Sequence, residues 1–157
     1  MNQSDKSREC KILILGSYHS KNFPVLENLK QHLIDHDFEN VFIANDIVNI
    51  PENGTYNEKM AKILSEIEDL MREFDFNIFI FFDKSNNSTL AEFAVFLREF
   101  FKEKKETTLV ILPRNYDISM VIGLLTKEKI KIFRYDFDFD IYKYCTRFII
   151  QNSRNIK

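Results

Sequence analysis

Glycine and proline are almost missing from this chain, with three of each in 157 residues. Neither G-x-G-x-x-G nor G-x-x-x-x-G-K-[S/T] occurs, and so few glycines and prolines leave little room for a glycine-rich phosphate loop or a disordered linker. Tryptophan is absent. The two cysteines, Cys10 and Cys145, stand near opposite ends without C-x-x-C or Cys/His ligand spacing. They read as free buried thiols, which places the protein in a reducing, cytoplasmic compartment. No apolar run approaches the roughly 18 residues of a membrane span, and the polar start is no signal peptide. The formal charge is −2 with cations and acids interspersed, which gives no electrostatic footprint for nucleic acid.

No metal or cofactor is expected. His32 and His36, four apart on a helix, lack a third ligand and read as a polar face. The Asp136, Asp138, Asp140 alternation lacks the glycine and terminal glutamate of a calcium loop.

What the chain has is apolar bulk: 45% of residues are apolar and sixteen are phenylalanine. A length of 157 residues makes one domain over 1–157, with 1–9 as a flexible lead-in. Five short apolar runs read as strands: 11–15, 41–44, 77–82, 108–112 and 129–133. Between them, apolar residues recur at helical spacing from Pro24 to about His36, from Asn57 to Glu73, from Ser88 to about Lys104 and from Ile118 to Leu125. The stretch from Tyr135 to Asp140 reads as a loop, and 141–151 as a last helix. Lysines alternate with apolar residues in the fifth run, as on a half-exposed edge strand. This alternation predicts an α/β fold, a doubly wound (Rossmann/flavodoxin-like), mostly parallel five-stranded sheet with helices on both faces.

In open sheets of this kind ligands bind outside the carboxyl ends of the strands. Gly16, Ser17, Tyr18, Asp46, Asp83, Asn86, Ser88 and Glu92 fall on that edge. Gly16 would let backbone approach a ligand or take a positive φ. Thr89 and Glu92 are spaced as a T-x-x-E capping box, which needs no function. Yet Leu90, Ala91, Phe93, Ala94, Val95, Phe96 and Leu97 surround Glu92 with apolar residues, and desolvation makes a carboxyl an acid, a base or a nucleophile. Cap and catalyst both stand. His19 reads as a loop histidine, and Arg114-Asn115 either holds a phosphate or forms a surface ion pair.

The segment Asn86-Asn87-Ser88-Thr89-Leu90-Ala91-Glu92 resembles the D-x-G-T-x-x-E signature of nucleoside 2-deoxyribosyltransferases, with Asn86 in place of Asp and Ser88 in place of Gly. Gly16-Ser17-Tyr18 is similar to that family's G-P-[F/Y] turn, with Ser17 in place of Pro. The resemblance implies Glu92 as the nucleophile at the anomeric carbon. It further implies Gly16, Ser17 and Tyr18 as a base or sugar site, and Asp46, Asp83, Asn86 and Ser88 as partners of ribose hydroxyls. Asn86 cannot share a proton as a carboxylic acid does, so Asp83 is the substitute donor. The loop Ser85-Asn86-Asn87-Ser88 before Glu92 also resembles TIR-like NAD-cleaving proteins, where one Glu suffices because nicotinamide leaves without a proton.

Together these imply N-glycosidic bond cleavage or transfer on a nucleoside or nucleotide, NAD included. A non-catalytic nucleotide-sensing or protein-docking module of the same fold is the alternative. Neighbouring chains complete such sites in the resembled family, which implies a homo-oligomer. The aromatic segment Phe133 to Tyr144 would supply the interface or pack on its own sheet.

Overall fold

The computed structural model describes residues 7–116 and 119–156. Five strands form one sheet: β1 (Lys11–Gly16), β2 (Asn40–Ile43), β3 (Phe76–Ile80), β4 (Thr108–Pro113) and β5 (Lys131–Tyr135). Their order is β2-β1-β3-β4-β5 and every pairing is parallel. Ile14 sits opposite both Ile43 and Ile78, and Leu109 links Ile78 to Lys131 across the sheet. Five helices connect and cover the strands: α1 (Phe23–Asp35), α2 (Tyr56–Glu73), α3 (Asn87–Glu99), α4 (Ser119–Lys127) and α5 (Asp138–Asn152).

The strands read as unbroken apolar runs because both of their faces are buried. Ile12, Ile14, Ile78, Ile80, Leu109 and Ile111 point to one side, under Leu26, Leu29 and Leu33 of α1 and Ile141, Cys145 and Phe148 of α5. Leu13, Leu15, Phe79, Phe81, Val110 and Leu112 point to the other, under Ile67 and Met71 of α2, Phe93 and Phe96 of α3 and Leu125 of α4. Two helices on one face and three on the other make a doubly wound sheet. The winding reverses between β1 and β3, where the connections leave in opposite directions and open a crevice at their carboxyl ends.

The expected elements are present with shifted boundaries. Ala44 leaves the second strand for a helical turn, Ala44–Ile47. The helix expected from Ser88 to Lys104 begins earlier and divides, with α3 ending at Glu99 and a separate turn over Phe101–Lys104. α5 starts at Asp138, so the acidic-aromatic stretch is not a six-residue loop. Asp138 and Asp140 lie in its first turn, where the helix dipole favours negative charge, and Asp140 Oδ2 accepts from the Phe137 N–H at 3.4 Å. The helix expected over Ile118–Leu125 is α4, and Ile118 lies outside the described residues, as do residues 1–6 of the lead-in. Residues 7–9 form a helical turn in which Ser7 is buried and its carbonyl accepts from the Cys10 thiol. Both cysteines are buried and unbonded; burial, then Asp75, pushes the Cys10 thiol up to about 12.

α3 is fixed by aromatic packing. The Phe93 ring meets Phe79 edge-on at 5.1 Å and Phe81 at 6.2 Å, and stacks on Phe96 at 6.1 Å. Phe93 follows Glu92, so this cluster holds the helix turn that carries the carboxyl. Phe93→Ala leaves a cavity under that turn and is expected to cost about 3–5 kcal/mol in urea unfolding, with Phe93→Leu costing markedly less.

Candidate active site

Two loops meet at the point where the winding reverses. The first leaves β1 at Gly16, which pairs with Ile80. A Cβ on Gly16 would lie 2.8 Å from Leu26 Cδ2, so the glycine lets α1 pack close to the strand. The glycine with a positive φ is Gly54, ahead of α2. Ser17 is buried, and its Oγ accepts from the His19 N–H at 3.2 Å. Tyr18 follows, half-buried.

The second loop runs from Phe81 to Asn86. It reverses through Ser85, held at φ 67, a left-handed conformation that costs a non-glycine residue about 1 kcal/mol. Asn86 holds that turn shut. Its Oδ1 accepts from the Phe82 N–H at 2.8 Å and its Nδ2 donates to the Phe82 carbonyl at 2.6 Å. The Asn22 amide then donates to the Lys84 carbonyl at 3.2 Å, tying one loop to the other.

The capping-box reading of Thr89 and Glu92 fails. α3 starts at Asn87 with Asn86 as its N-cap, so Thr89 is the third helical residue and Glu92 lies in the second turn, beyond reach of the helix's first amides. Glu92 is instead buried, with 2% of its surface exposed. Its Oε1 accepts a long hydrogen bond, 3.4 Å, from the Tyr18 hydroxyl. Its Oε2 and the Thr89 Oγ1, three residues apart on one helix face, are buried and find no partner among the described residues. Burial pushes the Glu92 carboxyl up to about 8, against a small opposing effect of the Tyr18 hydrogen bond. The same enclosure raises the Tyr18 hydroxyl, and the Glu92 and Asp46 charges add to it.

The other expected residues flank this pair. Asp83 and Asn86 line an open groove of about 410 Å³ on the β4 side, with Asn87, Leu90, Asn115 and Tyr116. Ser88 is exposed in the first turn of α3. Asp46 lies on the β2 side, exposed, with its carboxylate 3.9 Å from Lys30 Nζ. The eight residues therefore share one sheet edge, and among the described residues a side-chain hydrogen bond joins Tyr18 to Glu92. Arg114 is drawn into an ion pair with Asp136 at 2.6 Å. The His32 and His36 rings lie tilted against each other at 4.1 Å, with Tyr142 5.7 Å from His32.

Two further residues join this edge. Thr89 keeps its buried hydroxyl free of the cap that the spacing suggests. Tyr116 packs its ring 5.9 Å from Phe81, with its hydroxyl beside Asn86 but outside hydrogen-bond geometry. Its place just past the end of β4 was the available signal.

Asn86→Asp sets a carboxylate against the Phe82 carbonyl where an N–H now donates. The variant is expected to lose about 1–3 kcal/mol in urea unfolding, with Asn86→Ala losing a similar amount.

Glu92 also links stability to pH. It ionises near 4.5 when unfolded and near 8 when folded, so its contribution is whole below 4.5 and drains away as pH rises to 8. Glu92→Gln, which cannot ionise, should match the wild type near pH 4.5 and exceed it by a few kcal/mol above pH 8 in denaturant titrations.

No protein-family model and no curated protein matches the sequence. Among solved structures, a conserved protein from Enterococcus faecalis V583 overlaps at a TM-score of 0.45 with 11% identity, over 93% of this chain and 98% of that one. The Clostridium botulinum CMP N-glycosidase BcmB overlaps at a TM-score of 0.61 with 14% identity, over 88% of this chain and 99% of that one. This chain has the same fold as that N-glycosidase over nearly the whole of both molecules.

Proposed function

We propose that the protein breaks the N-glycosidic bond of a nucleoside or nucleotide, with Glu92 acting at the anomeric carbon. The carrying observation is a buried carboxyl at the point of winding reversal, hydrogen-bonded by a tyrosine from the facing loop. The likeness in fold to a protein described as a CMP N-glycosidase supports the same reaction class.

In this reading the C1′–N bond breaks with its electron pair leaving on the base. Ionised Glu92 attacks C1′, or holds the oxocarbenium centre as an ion pair; low polarity around it strengthens that attraction. Water then hydrolyses the glycosyl ester, or a second base displaces it in a transfer. Tyr18 orients the carboxylate through Oε1 and leaves Oε2 for C1′. Gly16 and Ser17 shape the floor, and Asp83, Asn86, Ser88 and Asp46 meet the sugar hydroxyls or the base from the flanks. Asn86 holds Phe82 through its amide oxygen and one N–H and carries no acidic proton, so a proton for the leaving base falls to Asp83, and a cationic base such as nicotinamide needs none.

The test is a chromatographic panel of nucleoside monophosphates, CMP first, with ribo- and deoxynucleosides and NAD. Free base is expected from the wild type, and at least ~100-fold less from Glu92→Gln. Full turnover by Glu92→Gln removes Glu92 from the chemistry. With Glu92 acting as carboxylate, kcat/KM should climb about tenfold per pH unit and level off above about 8. A decline through the same pH would make Glu92 the acid.

The tight enclosure of Glu92 favours one rival, a module that binds a nucleotide without cleaving it. A ligand-dependent rise in melting temperature with no base released after long incubation would select that reading.

A further inference from the structure

The chain has seven arginines, five of them engaged. Arg8 pairs with Asp37, Arg72 with Glu68 and Asp69, Arg98 with Glu68 and Glu99, and Arg114 with Asp136. Arg134 donates to the carbonyls of Pro113, Arg114 and Tyr116. Arg147 and Arg154 have no partner among the described residues, and both line one groove. That groove, about 580 Å³, also takes in Lys131, likewise without a described partner, along with Tyr144 and Gln151, and among the described residues no carboxylate lines it.

Its position separates it from Glu92. Lys131 opens β5, and Arg147, Gln151 and Arg154 belong to the end of α5 and the turn after it. The groove therefore lies at the amino edge of the sheet, away from the loops that follow the strands.

Three unscreened cations in one concavity repel each other, in a chain whose net charge is −2. The carbonyl end of α5 offsets part of this. An anion offsets more of it, and a guanidinium fork fits phosphate oxygens two at a time. A single carboxylate or monophosphate leaves one or two of the cations unmatched, whereas an oligophosphate carries three or four charges. The volume falls in the range of small-molecule sites. Tyr144, stacked flat on Phe133 at 3.9 Å, gives the groove a rigid wall.

We propose that this groove binds an oligophosphate, either free or carried by a nucleoside. The reading is independent of Glu92 and goes beyond the glycosidic chemistry.

Calorimetric titration tests it, using inorganic tripolyphosphate, ATP and adenosine with the full chain. Tripolyphosphate and ATP are expected to bind one to one, more weakly as salt rises, and adenosine not at all. R147A/R154A should weaken both by at least ~30-fold. K59A/K62A removes the same charge from α2 and should leave the affinity within about twofold. ATP binding much more tightly than tripolyphosphate makes the nucleoside part of the ligand; equal affinity makes it the free anion. No binding of either, or equal weakening by K59A/K62A, overturns the site.

Discussion

A carboxyl group kept from water, with one 3.4 Å hydrogen bond to hold it, is the constraint around which the sheet edge is arranged. Ionised in such a place it would cost several kcal/mol, so the folded chain keeps it neutral up to about pH 8. Something must compensate for seating even a neutral acid there. The compensation lies in the next residue: Phe93 joins Phe79, Phe81 and Phe96 in a cluster that fixes the second turn of α3. Glu92 and Phe93 are both buried on the turn that this cluster fixes. Apolar packing carries the energy, and the acid rides on the same turn.

The scarcity of glycine shapes the rest of the edge. Where a chain richer in glycine would bend freely, this one uses Ser85 in a left-handed conformation and Asn86 to clasp it. Asp37 and Lys129 are left-handed too, just after α1 and α4. Such turns cost more than glycine turns, and at Ser85 the Asn86 clasp on Phe82 holds the shape. The price of rigidity is that Asn86, the residue at the position of an acid in the resembled signature, commits its amide oxygen and one of its two N–H groups to Phe82.

The fold was legible because its signals were long and redundant. Five apolar runs alternated with 3.6-period stripes, and burying both faces of a parallel sheet leaves few other arrangements. Boundaries were less legible, since they turn on local competition. The motif T-x-x-E occurs twice, at Thr55–Glu58 and Thr89–Glu92. The first makes a true capping box, with Glu58 N–H donating to Thr55 Oγ1 and Thr55 N–H to Glu58 Oε2. The second does not, because α3 starts three residues before the position that motif requires. Glu58 is exposed and Glu92 sits among apolar neighbours, so the surroundings separate the two where the spacing cannot. The sheet edge for the candidate residues could be read from strand ends, but their division between seam and flanks could not. It depends on which side of a loop each side chain leaves, and Asp46 and Asp83 leave on opposite sides of Glu92.

That division bears on what the edge can do. A reaction that needs a carboxylate and a separate acid facing the same bond in one enclosed site is poorly served when Glu92 is enclosed and Asp83 is exposed in a neighbouring groove. A reaction that needs one carboxylate against a developing positive charge is well served, because enclosure strengthens that attraction and a positive centre draws the proton off Glu92. The long hydrogen bond from Tyr18 is consistent with such a site, since a donor at 3.4 Å steadies the carboxyl without spending its charge. On this argument a base that needs a proton, the cytosine of CMP included, draws it from the exposed Asp83 side, whereas a cationic base departs unaided.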